Sequence, residues 1–250
     1  MKQSSRWYSD RLGSEVSVVR WGHLGAPLLL FPTAGGDAEE IERFHCIRVL
    51  EPLLAEGRLK VYSCDSVAGQ HMITGEGSIA HRCRLQDQFH EFVARELVPA
   101  IRQDCRSPEI EIISAGSSIG AFHALAVLCR YPHLFSRALC MSGTYDLRRF
   151  LKGEPTQEFY ASSPIHFLSH AAGDHLAAVR KRFVLFASGQ GRAEDIGESW
   201  HAAHVLGRHG IPNRVDPWGQ EWNHDWPTWR AMLPLYLGEW TAREPVAQRA

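Results

Sequence analysis

"EIEIISAGSSIGAFHALAVLCRYP", residues 109–132, is the stretch that decides the fold. Its opening, "EIEIISAG" (109–116), is a short apolar run ending in glycine and reads as a buried strand. Its second half, "IGAFHALAVLCRYP", has helical periodicity and stops before Pro132. Between them Gly116, Ser117, Ser118, Ile119 and Gly120 spell G-x-S-x-G, the pattern of a serine presented on a tight strand-to-helix turn. Small residues two places either side leave room for the crowded backbone that pushes such a hydroxyl outward. Ser118 is therefore the candidate nucleophile, and Ser117 falls at the variable position. The pentapeptide alone is common in a chain with 21 glycines; the flanking strand and helix give it weight.

The same alternation of short apolar runs and longer amphipathic segments extends in both directions. Strands are expected at 15–22, 27–32, 59–65, 109–116, 137–143, 182–188 and 213–219, with helices at 39–55, 85–103, 118–130, 195–209 and 226–240. This is the signature of an α/β fold with a mostly parallel central sheet and helices on both faces. Segments 66–84 and 147–175 lack sustained periodicity and are candidate loops or small insertions over the ends of the sheet, where substrate contacts collect. The first dozen residues and "TAREPVAQRA" (241–250) are expected to fray. With 250 residues and 44% hydrophobic content, one domain over 1–250 is expected.

Composition narrows the partners. A formal net charge of -1 supplies no global field for nucleic acid or an anionic membrane. The N-terminus, "MKQSSRWYSDRLGSEVSVVRWG", lacks the apolar core of a signal peptide, and no run reaches bilayer-spanning length. Six cysteines (Cys46, Cys64, Cys83, Cys105, Cys129, Cys140) form no C-x-x-C pair and read as free buried thiols. A cytoplasmic protein acting on a small molecule is expected, with homo-oligomers left open.

A serine hydroxyl needs a base, and the base an orienting acid, later in the chain in the order Ser, acid, His. Of 14 histidines, His224 lies in "WGQEWNHDWPTW", after the last strand and before a helix opened by Asp225 and Pro227. It is the candidate base. The acid is expected in "GQGRAEDIGES", after the 182–188 strand, where Glu194 is preferred and Asp195 remains open; one of the two is expected merely to favour the N-terminus of the following helix. The oxyanion donors are expected to be the backbone N–H of Ile119 and that of Ala34 or Gly35 in "TAGGD". Trp222 is expected to line an acyl or alcohol pocket, while Trp226 and Trp229 read as core anchors. His166 and His170 have helical spacing but no H-E-x-x-H and no adjacent carboxylate, which argues against a metal hydrolase.

These residues resemble the putative-esterase branch of the α/β-hydrolases, which includes S-formylglutathione hydrolases and mycolyltransferases. The likeness runs from "LLLFPTAGG" through "GSSIGAFHALAVLCRYPHLFSRALCMSGTYDL" to "GIPNRVDPWGQEWNHDWPTWRAMLPLYL". It implies an α/β-hydrolase fold, Ser118 as nucleophile, His224 as base, an acid within "GQGRAED", and neither metal nor organic cofactor. Within the resemblance, mycolyltransferases align Asp195 with the acid and small esterases align Glu194. The implied activity is serine esterase action on a small soluble ester or thioester through an acyl-enzyme. The alternatives are an acyltransferase using the same three residues, or a non-catalytic binding protein on the same scaffold.

Overall fold

The computed structural model describes residues 1–242. Among these residues eight strands form one sheet: β1 (Lys2–Ser9), β2 (Ser14–Trp21), β3 (Ala26–Phe31), β4 (Leu59–Cys64), β5 (Ile112–Ser117), β6 (Phe135–Met141), β7 (Phe183–Ser188) and β8 (Asn213–Pro217). Their order is β1-β2-β4-β3-β5-β6-β7-β8. The β1/β2 and β2/β4 pairs are antiparallel, and every pair from β4/β3 to β7/β8 is parallel. The segments that follow all six parallel strands meet at one end of the sheet, where Ala34, Ile73, Ser118, Ser142, Ala193 and His224 line a common cavity.

Among the described residues eleven α-helices accompany the strands: α1 (Glu40–Arg43), α2 (Cys46–Ala55), α3 (Val67–Thr74), α4 (Ile79–Phe92), α5 (Val98–Asp104), α6 (Ile119–Arg130), α7 (Gln157–Ser162), α8 (Pro164–Phe167), α9 (Gly173–Val179), α10 (Ile196–Arg208) and α11 (Trp226–Trp240). Strand periodicity divides the core. Leu29, Phe31, Val184 and Phe186 join the layer containing Phe89, Phe92 and Leu125. Their neighbours Leu28, Leu30, Leu185 and Ala187 turn to the opposite layer, with Leu50, Trp229, Met232 and Leu237. Each fully buried Leu, Val or Phe contributes roughly 1.5–3 kcal/mol of transfer free energy, so both layers stabilise the sheet they enclose. Among the described residues no helix is long and apolar enough to cross a membrane.

Four expectations are corrected. The first dozen residues do not fray: β1 pairs with β2 from Lys2↔Trp21 to Ser9↔Ser14. Its polar sequence, "KQSSRWYS", hides the strand because nearly all its side chains are exposed. Ladder hydrogen bonds hold it, together with Glu96, which accepts from Trp7 Nε1 at 3.3 Å and Ser9 Oγ at 3.0 Å. The 39–55 helix is two helices, broken where His45 takes a left-handed φ of 64°. Segment 66–84 is mostly helical, since α4 begins at Ile79 behind the cap Ser78, whose hydroxyl accepts from His81 N at 3.1 Å. Segment 147–175 likewise winds into short helices.

These two segments bury a third apolar cluster against α6: Met72, Cys83, Leu147, Leu151 and Phe159 pack with Ile119, Phe122 and Ala126. Arg82 pins them to each other by donating to the carbonyls of Phe150 (2.9 Å) and Leu151 (3.1 Å). Of the C-terminal stretch expected to fray, residues 243–250 lie outside the described residues.

Candidate active site

Ser118 stands between the end of β5 and the start of α6 with φ 57° and ψ -123°. A non-glycine residue in that region carries strain of order 1–3 kcal/mol, which the surroundings must overcome. They do so through three backbone bonds: Ser118 N donates to Met141 O (3.0 Å), and Ser118 O accepts from Ala121 N (3.1 Å) and Thr144 N (3.3 Å). The two glycines of the pentapeptide have steric reasons to be there. A Cβ on Gly116 would fall onto the carbonyl of Gly120, and one on Gly120 would fall onto the carbonyl of Pro32 and come within 2.8 Å of that of Phe31. Ser117 is buried and ends β5, whereas Ser118 is partly exposed.

Ser118, Ile119, Ala34 and His224 line one cavity of about 190 Å³ at the carboxyl end of the sheet. No hydrogen bond joins Ser118 and His224 among the described residues. Such bonds are often long in unliganded hydrolase sites and tighten around substrate.

The Ala34 turn is built by one buried and one half-buried carboxylate. Glu40 accepts from Thr33 N (2.7 Å) and Thr33 Oγ1 (2.8 Å), and Asp65 accepts from Ala38 N (2.9 Å). Burial raises the Glu40 carboxyl above its ordinary range, against the pull of the Thr33 bonds. Helix α3 covers the turn closely: a Cβ on Gly69 would lie 3.0 Å from Ala34 O. Ala34 is buried in the cavity wall, while Gly35 is exposed and lies outside that wall. Asp37 accepts from Glu39 N at 2.8 Å and pairs with Arg43 at the same distance.

His224 is held by its own backbone, which donates to Arg192 O at 3.0 Å, and by Trp229, whose ring stands edge-on to the imidazole at 5.2 Å. Its Nδ1 faces Glu194 Oε2 at 3.4 Å, and the Glu194 side chain is 1% exposed. Asp195 does something else: it is the N-cap of α10 and accepts from Gly197 N at 3.1 Å. Ala193, with φ 62°, turns the loop so that adjacent carboxylates part, one inward to the imidazole and one outward to the helix.

Sequence reasoning did not single out the residue that holds Glu194. Ser142 Oγ donates to Glu194 Oε1 at 2.6 Å and accepts from Trp229 Nε1 at 3.0 Å. Ser188 adds a longer bond to Glu194 Oε2 at 3.4 Å. Ser142 sits just past β6 at φ 46°, and the only trace in the sequence is that "MSG" follows an apolar run.

Trp222 is placed outside the cavity. It packs edge-on against Trp218 at 4.8 Å, and its carbonyl accepts from Gly191 N at 2.9 Å, tying the Glu194 loop to the His224 loop. Trp226 stacks on Phe44 at 4.3 Å, and Trp229 is buried. His166 bonds Ser163 Oγ at 2.8 Å through Nδ1, and His170 is exposed on the next turn.

Solved structures with this architecture are numerous. A ferulic acid esterase superposes with a TM-score of 0.76 at 17% identity, over 96% of this chain and 97% of that one. An S-formylglutathione hydrolase from Agrobacterium tumefaciens gives 0.73 at 14% identity, over 96% and 94%. The fluorophosphonate-binding serine hydrolase FphF of Staphylococcus aureus gives 0.69 at 12%, over 97% and 99%. At these identities the likeness shows the fold. No curated protein matches by sequence. The family model described as "Putative esterase" matches residues 75–237, from the loop before α4 to the end of the sheet and most of α11. The chain belongs to this esterase family, with the α/β-hydrolase fold.

Proposed function

We propose that the protein is a serine esterase that cleaves small carboxylic esters or thioesters through an acyl-enzyme. The observation that carries this is the conjunction at one cavity of Ser118 on strained backbone and His224, with its Nδ1 turned to the buried Glu194 carboxylate. Ser118 Oγ attacks the carbonyl carbon while its proton passes to His224 Nε2. The tetrahedral oxyanion receives the N–H groups of Ile119 and Ala34, each such donor worth roughly 3 kcal/mol in the transition state. Collapse breaks the bond to the leaving oxygen or sulfur, which takes the proton from Nε2. Water then repeats the sequence on the acyl-enzyme, releasing the acid and restoring Ser118. Glu194 keeps the Nδ1–H tautomer and offsets the imidazolium.

A cavity of about 190 Å³ suits a short acyl chain. Six free thiols, five of them buried, fit a reducing cytoplasm. The test is labelling by a fluorophosphonate probe together with turnover of 4-nitrophenyl acetate. Ser118→Ala is expected to abolish both, and Ser117→Ala to retain much of both. Equal residual activity in the two variants would remove Ser118 from the reaction, and an unlabelled folded protein would favour a binding role.

A further inference from the structure

The cavity beside Ser118 has a mixed lining. Ala34, Ile73, Ile119 and Phe150 supply apolar surface, and Thr144, Arg149, Asp195 and Glu198 supply polar groups. The charged groups are unequally engaged. Glu198 Oε2 already accepts from Tyr145 N (2.8 Å) and Asp146 N (3.2 Å), and Asp195 accepts from Gly197 N (3.1 Å). Both carboxylates also sit at the start of the 13-residue helix α10, whose N-terminal partial charge stabilises anions.

Arg149 is different. One edge of its guanidinium is anchored: one terminal nitrogen donates to Thr144 Oγ1 at 2.8 Å, the other lies 3.6 Å from Glu198 Oε1, and Cζ lies 5.1 Å from the Phe150 ring centroid. A guanidinium carries five N–H donors in a rigid fork; the Thr144 bond uses one, and the ion pair with Glu198 engages the other terminal nitrogen. The side chain is half exposed and lines the cavity, so donors remain on a group whose orientation is set in advance.

We propose that Arg149 selects the substrate, and that the preferred substrates are short esters bearing a carboxylate a few bonds from the scissile carbonyl. This rests on the esterase reading above. The carboxylate accepts two N–H groups of the Arg149 fork, the fit that a planar guanidinium offers and an ammonium does not. The apolar lining residues Ala34, Ile73 and Ile119 take the intervening methylene or ring carbons.

Two matched pairs test it: mono-4-nitrophenyl succinate against 4-nitrophenyl butyrate places the carboxylate on the acyl side, and 4-acetoxybenzoate against phenyl acetate places it on the leaving group. In the wild type, kcat/KM is expected to favour the anionic member of at least one pair by about tenfold or more, as a charge-assisted bidentate contact allows. The preference is expected to shrink in high salt, to fall towards unity in Arg149→Gln and to be partly kept in Arg149→Lys. Calorimetric binding of the same esters to Ser118→Ala, with and without Arg149→Gln, gives a second readout independent of turnover. Wild type without anionic preference in both pairs, or a preference that survives Arg149→Gln, overturns the proposal. Arg149-dependent binding of the anionic ester without turnover upholds the anion site and refutes the esterase reading instead.

Discussion

Two adjacent carboxylates, Glu194 and Asp195, offer a sharp experiment. Glu194→Gln preserves shape but replaces one acceptor oxygen by an amide that donates. The carboxylate has two duties, accepting from Ser142 Oγ at 2.6 Å through Oε1 and facing His224 Nδ1 at 3.4 Å through Oε2. If the amide nitrogen meets His224, Nδ1 must accept, the ring proton moves to Nε2, and the imidazole is no longer a base towards Ser118. If it meets Ser142 instead, that hydroxyl must reverse, although Trp229 Nε1 already donates to it at 3.0 Å. Both arrangements are costly, and the site is too buried for water to relieve either. Turnover of 4-nitrophenyl acetate is expected to fall by roughly 10²- to 10⁴-fold, or about 2.7–5.4 kcal/mol of transition-state stabilisation. Asp195→Asn keeps an excellent N-cap for α10 and is expected to retain kcat within about threefold. Thermal unfolding of both variants confirms that each remains folded. A larger loss in Asp195→Asn, or more than a tenth of wild-type kcat in Glu194→Gln, would refute the assignment of the acid.

Ser142→Ala removes the shortest bond to Glu194 and orphans the indole N–H of Trp229; it is expected to cost about 1–3 kcal/mol in urea unfolding and roughly tenfold in kcat, and unchanged values would show that Ser142 holds nothing. Gly120→Ala drives a methyl into the backbone of Pro32 and Phe31, so a loss of about 1–3 kcal/mol is expected, read as a Tm drop of roughly 2–4 °C per kcal/mol. Gly238→Ala, in open space on α11, is expected to gain about 0.5–1 kcal/mol, and similar behaviour of the two glycine variants would contradict the packing argument.

A pH dependence follows from His90 and His123, which share a 3.1 Å ring-nitrogen bond in the core. Burial lowers both, His123 to about 3. Both are therefore neutral in the folded protein near neutral pH, whereas the unfolded imidazoles titrate near 6.5, so the unfolded chain binds the extra protons below that pH. Stability is present above the unfolded value and is lost as pH falls towards the folded one. His123 alone accounts for about 2 kcal/mol between pH 7.5 and 5. Urea midpoints at the two pH values are expected to differ in wild type and to differ less in His123→Leu, which keeps His90; an unchanged pH slope in the variant would refute it.

Much of the fold was legible because local chemistry and tertiary context agreed. The 226–240 helix has the predicted bounds, since Asp225 caps it and Pro227 sits in its first turn. Where they diverged, the sequence misled. The strand β1 has no apolar face to betray it, and α3 carries Gly69 inside a helix where a Cβ would crowd the Ser66 hydroxyl and the Ala34 carbonyl.

By itself the sequence determined the layered sheet, Ser118 at its strand-to-helix turn and His224 in the loop after the last strand, because glycine spacing, apolar runs and chain order are local properties. It narrowed the acid to two neighbours and stopped there, since Glu194 and Asp195 are chemically alike and adjacent. Only the tertiary structure separates their partners. Ala193 in a left-handed conformation turns Glu194 towards Ser142 and His224 and leaves Asp195 to cap a helix. Ser142 and Arg149 came into view for the same reason: their contacts join the ends of different elements, and no pattern along the chain records which loops will meet.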